Sequence, residues 1–217
     1  MNLILINIDE TRDPEKWFQK STNYDVAFMQ YKYNGIFKER LKELTDDVWS
    51  FSHINRGKWR NIKNLLVNPA CSYLERYDQF WFPDPDLECL FKISDLFDFV
   101  RSHGFGISQP SLTKDSQNSH PESKHLEHSL YRPGFTEIMC PMFSRNALVK
   151  HLWTFALTYS GYGIDLVWNN NDETFIIDKF QVRHAEKPHF EQAAFINGWP
   201  NPTWELKQVR SEFLEVR

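Results

Sequence analysis

The segment from Tyr77 to Asp86, YDQFWFPDPD, holds the residues whose types and spacing are best suited to chemistry. Its aromatic run, Phe80-Trp81-Phe82, reads as a buried strand that ends by delivering two carboxylates, Asp84 and Asp86, one residue apart. On an extended backbone, residues i and i+2 point to the same side, so the pair can share a hard cation such as Mg²⁺ or Mn²⁺. Pro83 and Pro85 each hold φ at about −65° and stiffen that presentation. A polyproline II twist would instead splay the two side chains, and a solvated Asp-Pro turn is the plain structural alternative.

Other candidates are weaker taken singly. Arg56 and Lys58, in RGKW, offer donors that suit phosphate oxygens, or else a solvated face at a helix start. They form no Walker A loop, because the upstream glycine and the following Ser or Thr are missing. His184 after a late strand reads alone as a structural or surface histidine, and Asp165 after Gly161 and Gly163 as a cap. Ser144 is an N-cap, with no GxSxG around it. His120, His125 and His128, with Glu122 and Glu127, lie in a polar stretch at 111–132. An H-x-x-H pair on a helix could take a transition metal, but no cysteine supports a closed site. The stretch is read as a mobile lid over a site, or an insertion. Trp153, Trp168, Trp199 and Trp204 divide between core packing and a sugar-stacking platform.

These residues need elements to carry them. Strands are expected at 3–8, 24–30, 48–52, 79–82, 106–109, 135–140, 175–178 and 180–184. Helices are expected from Asp13-Pro14, over 58–67, from Ser94 to Gly104, from Ser144 to Gly161, and from Asn201-Pro202. Residues 36–46 suit either a short helix or a surface connection. The alternation predicts an α/β fold with a mostly parallel central sheet flanked by helices, and ligands beyond the carboxyl ends of the strands. Asp9 and the region of Gln30-Tyr31 end the first two strands.

The 217 residues suit one domain with a small appendage, and 16% aromatic content excludes a disordered chain. Lys plus Arg number 25 against 29 Asp plus Glu, a net charge of −4. No basic excess exists to neutralise a phosphate backbone, so nucleic acid is excluded as the main partner. Three cysteines without CxxC spacing suit a reducing, cytoplasmic compartment. No run of 18 apolar residues codes a membrane span, and the apolar residues 1–8 are too short for a signal-peptide core.

Six blocks stand in a telling order: RGKW at 56–59, YDQFWFPDPDLE at 77–88, GFGISQPSL at 104–112, GFTEIMCPMFSRNAL at 134–148, GYGIDLVW at 161–168 and DKFQVRHAEKP at 178–188. Together they resemble the family known as "domain of unknown function 707", which is similar to GT-A-type (Rossmann-like) glycosyltransferases. The resemblance spans about residues 56–188. It implies a nucleotide-sugar-binding domain over 1–190, with 191–217 as a helical tail packed on it. Asp84 and Asp86 match the Asp-x-Asp that holds a divalent metal, Mn²⁺ or Mg²⁺, against a nucleoside diphosphate sugar, and His184 matches the histidine that completes that site. Asp165 matches an acidic residue near the acceptor, and Glu137 a family acid before the long helix. Asp9, Arg56 and Lys58 join Asp84 as expected nucleotide-sugar contacts. Pro83 and Pro85 depart from the family's more acidic or aromatic context.

The implied activity is metal-dependent transfer of a sugar to a glycan or lipid-linked acceptor. Metal on the two aspartates would stabilise the leaving diphosphate, and Asp165 would take the acceptor's proton if configuration is inverted. Two alternatives remain: a non-catalytic relative that binds sugar or a partner, and a metal-dependent nucleotidyltransferase or phosphodiesterase.

Overall fold

Seven residues from Asn2 to Ile8, rich in Leu and Ile and free of charge, cannot leave one face in water, and they form the central strand β1, buried on both sides. The computed structural model describes residues 1–19, 23–30, 34–50, 57–117, 120–127, 129–184 and 200–214. β1 lies parallel between β2 (Tyr24–Gln30) and β4 (Gln79–Trp81). β2 pairs in turn with β3 (Val48–Ser50), also parallel.

Beyond β4 the sheet changes character. β8 (Met142–Ser144) runs antiparallel to β4, and β6 (Ile107–Leu112) runs antiparallel to β8. β9 (Thr174–Arg183) is parallel to β6 but antiparallel to both β5 (Glu88–Cys89) and β7 (Arg132–Pro133). The sheet is therefore mixed, which corrects the expected mostly parallel arrangement. Among the described residues, no α-helix lies between β6 and β8, so the chain lacks the helical crossover that would return it parallel.

Alternation along the strands feeds two cores. Ile4, Ile6, Val26, Phe28 and Trp81 face one layer with α1 (Gly35–Lys42) and α4 (Ile93–His103). Leu3, Leu5, Ala27, Phe80 and Phe82 face the other. There they meet α2 (Lys58–Leu66), α3 (Tyr73–Arg76), α5 (Arg145–His151) and α6 (Ile164–Asn171). Trp59 centres the second layer, with its ring centroid 4.6 Å from Phe155, 5.1 Å from Trp168 and 5.8 Å from Phe82.

Local signals hold at several ends. Ser144 caps α5 by accepting from the Ala147 N–H, Asn201 caps the last helix, α7 (Pro202–Phe213), and Gly104 closes α4 at φ 68°. Other expectations fail. Ser94 lies inside α4 rather than at its cap. The helix from Ser144 turns into a 3-10 segment at Leu152–Ala156, and Asp13-Pro14 opens only a 3-10 turn, Glu15–Trp17.

No strand forms at 135–140. There the backbone is satisfied by side chains: Asn169 accepts from the Thr136 N–H and donates to its carbonyl, each at 2.9 Å, and Gln109 accepts from the Glu137 N–H at 2.7 Å. The two expected late strands are one strand, β9, whose register against β6 shifts between Pro110 and Ser111.

Candidate active site

β1 and β4 run parallel, so the carboxyl end of β4 and the segment Phe82–Asp86 emerge on the side of the sheet where Asp9 follows β1. Two backbone bonds fasten that segment: Phe82 N–H to the Pro141 carbonyl at 3.0 Å, and Asp84 N–H to the Met139 carbonyl at 2.8 Å. Asp84 and Asp86 then turn to different partners. Lys58, the first residue of α2, donates from Nζ to Asp84 Oδ1 at 2.6 Å, to the Phe82 carbonyl at 2.8 Å and to the Ile138 carbonyl at 3.2 Å. Asp86 Oδ2 faces His184 Nε2 at 3.2 Å, and His184 Nδ1 lies 2.7 Å from the Gln117 carbonyl.

The electrostatics follow from these partners. Desolvation raises the Asp84 carboxyl above its usual range; Lys58 pulls it back, and the charge of Asp86 adds to the rise. Burial also opposes ionisation of Asp86, but the His184 hydrogen bond and charge outweigh it, so its pKa is lowered. For His184, burial works against the imidazolium, while Asp86, the Gln117 carbonyl and Asp84 favour it and lift its pKa to about 9.

Two cations that the sequence pattern did not single out belong here. Lys16 Nζ donates to the Pro85 carbonyl at 2.6 Å, and burial lowers its pKa despite the nearby Asp86 carboxylate. The positive charge of Arg12 helps to depress Asp86. Both lie in the turn after β1, about seventy residues away in sequence, so spacing could not have found them.

The remaining candidates are placed less centrally. Asp165 opens α6, is almost wholly buried, and accepts from the Leu166 N–H at 3.0 Å. Desolvation lifts its pKa to about 7 against the pull of backbone N–H groups that include Ile138. Ile138 thus touches Asp165 through its amide and Lys58 through its carbonyl, which links the acid to the Asp84 end. Glu137 is buried and accepts from Ser123 Oγ, in the polar stretch. Asp9 accepts from the Thr11 N–H at 3.0 Å and Oγ1 at 2.5 Å, organising the turn after β1. Gln30 donates to the Asn34 carbonyl at 2.9 Å. Arg56, Tyr31, His128 and Trp199 lie outside the described residues.

Glycine sets the approach of α2. A Cβ at Gly57, the residue before Lys58, would overlap the Tyr159 carbonyl oxygen, so the 157–163 loop packs directly on the helix start. That loop is clamped from outside by α7, whose buried Glu205 accepts from Tyr159 N–H at 2.7 Å and from Ser160 N–H at 3.0 Å.

The polar stretch is not a detached lid in its described residues. Thr113 and Gln117 bond the backbone at Val182 and His184, His125 N–H reaches the Leu112 carbonyl at 2.8 Å, and His120 stacks on Phe135. Trp168 is core, whereas Trp153 and Trp204 are half exposed.

Among the described residues, no three His, Cys, Asp or Glu side chains converge as a ready metal cluster. The donor chemistry nevertheless fits a divalent cation. Asp86 Oδ1 is a buried carboxylate oxygen with no hydrogen-bond partner, the atom a cation would satisfy. The Gln117 carbonyl fixes Nδ1 of His184 and leaves Nε2 facing Asp86, the outer-shell arrangement of a ligating histidine.

This mixed sheet, with helices on both faces, is a GT-A glycosyltransferase-like α/β fold, as comparison with solved structures shows. The S. aureus TarS fragment 1–349 superposes over 100% of this chain and 75% of its own, with TM-score 0.58 and 12% identity. A longer S. aureus TarS structure gives TM-score 0.52 at 13% identity over 98% of this chain and 42% of its own. GalNAc-T7, in a structure with UDP, GalNAc and Mn²⁺, gives TM-score 0.55 at 10% identity over 97% of this chain and 47% of its own. At such identities the likeness is one of fold. No protein-family model and no curated protein matches the sequence.

Proposed function

We propose that the chain is a glycosyltransferase domain. It binds a nucleoside diphosphate sugar at the carboxyl ends of β1 and β4 and passes the sugar to a glycan or lipid-linked acceptor. The observation that carries this reading is the adjacent pairs Asp84–Lys58 and Asp86–His184 at a strand end of a fold shared with GalNAc-T7, whose structure contains UDP, GalNAc and Mn²⁺. The six sequence blocks that resemble the "domain of unknown function 707" family support the same reading.

Asp84, Asp86 and His184 would hold Mn²⁺ or Mg²⁺, which when bound supplies Lewis-acid stabilisation of a departing diphosphate. Lys16 and Arg12, beside Pro85 and Asp86, offer donors to phosphate oxygens. Asp165, with its pKa near 7, is matched to accept the proton of an acceptor hydroxyl in an inverting reaction. Glu137, bonded to Ser123, serves this reading by holding the polar stretch over β6 rather than by meeting substrate. Among the described residues no helix is long and apolar enough to cross a membrane, and three free cysteines suit a cytoplasmic setting.

The ion pair of Asp84 with Lys58 favours a second reading, a non-catalytic sugar-binding relative. Calorimetric titration of UDP and GDP with Mn²⁺, and again with EDTA, tests the first. Binding of one nucleotide that disappears with EDTA is expected. Binding indifferent to EDTA without sugar turnover would support the second reading, and processing of nucleoside triphosphates instead would point to nucleotidyl transfer.

A further inference from the structure

Lys58 is seated more firmly than a phosphate contact requires. Its ammonium meets three oxygens, Asp84 Oδ1 and the carbonyls of Phe82 and Ile138, all within 3.2 Å, and its side chain is only 14% exposed. Three oxygens converging from two segments, residues 82–84 and Ile138, make the kind of seat that a small cation takes, and here it is filled from within the chain. Gly57 keeps it in place, since the 157–163 loop packs against the start of α2. The ammonium cannot withdraw without giving up its bonds to both carbonyls as well as to Asp84.

We infer that Lys58 is a tethered competitor for divalent metal at Asp84, so that the site takes metal weakly on its own and firmly only together with a diphosphate. This rests on the reading of Asp84 and Asp86 as metal ligands. With Lys58 in contact, its ammonium cancels one of the carboxylate charges that would attract an arriving cation. The ammonium also repels that cation across a few ångströms of partly dehydrated space. A diphosphate restores the missing negative charge, and its oxygens give Lys58 a partner other than Asp84. Lys58 thereby couples the two ligands: it weakens metal alone, strengthens nucleotide, and leaves their joint binding favourable.

The test is Mn²⁺ titration of the full chain followed by electron paramagnetic resonance, without nucleotide, for wild type and for Lys58→Met, which keeps the length of the side chain and removes the charge. Lys58→Met is expected to bind Mn²⁺ at least about tenfold more tightly than wild type. Adding Asp84→Asn to Lys58→Met is expected to cancel the gain, which locates it at this carboxylate. If Lys58→Met does not fold, Lys58→Gln, whose amide still donates to the two carbonyls, carries the same expectation. Equal or weaker Mn²⁺ affinity in a folded variant, with wild type binding Mn²⁺, overturns the competitor role and leaves the metal assignment standing. Absence of Mn²⁺ binding in wild type and variant alike overturns both.

Discussion

Asp178 and the pair Asp84 and Asp86 are carboxylates drawn toward the interior from opposite halves of the sheet, and their surroundings treat them differently. Asp178 is wholly enclosed. It accepts from Leu126 N–H at 3.1 Å and Ser129 Oγ at 2.9 Å, and pairs with Arg132 Nε at 3.0 Å. Every contact joins β9 to the polar stretch, so this acid works as a fastener. Asp84 and Asp86 keep 27% and 16% of their side chains exposed, and Asp86 Oδ1 is left without a partner. A carboxylate with saturated acceptors has no capacity left for a ligand, whereas one with spare capacity at the edge of solvent does. Burial alone therefore does not separate an acid that fastens the fold from one that keeps capacity for a ligand; unspent hydrogen-bonding capacity does.

The contrast can be broken most directly at Asp178. Asp178→Ala would leave the Arg132 charge without its counter-ion and should cost about 3–5 kcal/mol in urea unfolding. Asp86→Asn should cost less, about 1–3 kcal/mol, because the raised His184 pKa is lost but His184 can release its proton and leave no unpaired buried charge. Equal losses would remove the distinction.

Asp165 tests whether an enclosed acid can still titrate. Its carboxyl ionises near pH 7 when folded against an ordinary value of 3.8, so the folded state holds a proton that the unfolded chain has lost. Stability should fall as pH rises from about 4 to about 7, by up to about 4 kcal/mol, and level off above that. Asp165→Asn should flatten the profile, as followed by unfolding at several pH values.

Glu205 belongs with Asp178, since both oxygens accept from the 159–160 backbone. Glu205→Gln should cost about 1–3 kcal/mol by loosening α7. The smallest change in stability is expected at Lys16, which belongs with the proposed site. Lys16→Met should shift unfolding by less than about 1 kcal/mol while weakening UDP binding in calorimetry about tenfold.

Asp84 and Asp86 could be picked out as candidates because their signal is local: an aromatic strand ending in two spaced acids needs nothing from the rest of the chain to be seen. The caps at Ser144 and Asn201 and the stop at Gly104 are local in the same way. Strand direction is not. The antiparallel course of β8 depends on how the chain enters the sheet, which hydrophobic periodicity does not record. The missing strand at 135–140 was hidden for a related reason, since Gln109 and Asn169 supply its hydrogen bonds from about thirty residues away. Lys16 and Arg12 escaped because nothing between residues 10 and 20 announces proximity to Asp86. Lys58 was read as a phosphate donor, and only the structure reveals that Asp84 already holds it.

The most direct test of the account is UDP affinity with Mn²⁺, measured by calorimetry on wild type and Asp86→Asn, with thermal unfolding of both. The account predicts Mn²⁺-dependent binding that falls by about 100-fold or more in the variant, while the variant still unfolds cooperatively well above the assay temperature. Unchanged affinity in a folded Asp86→Asn protein would contradict it.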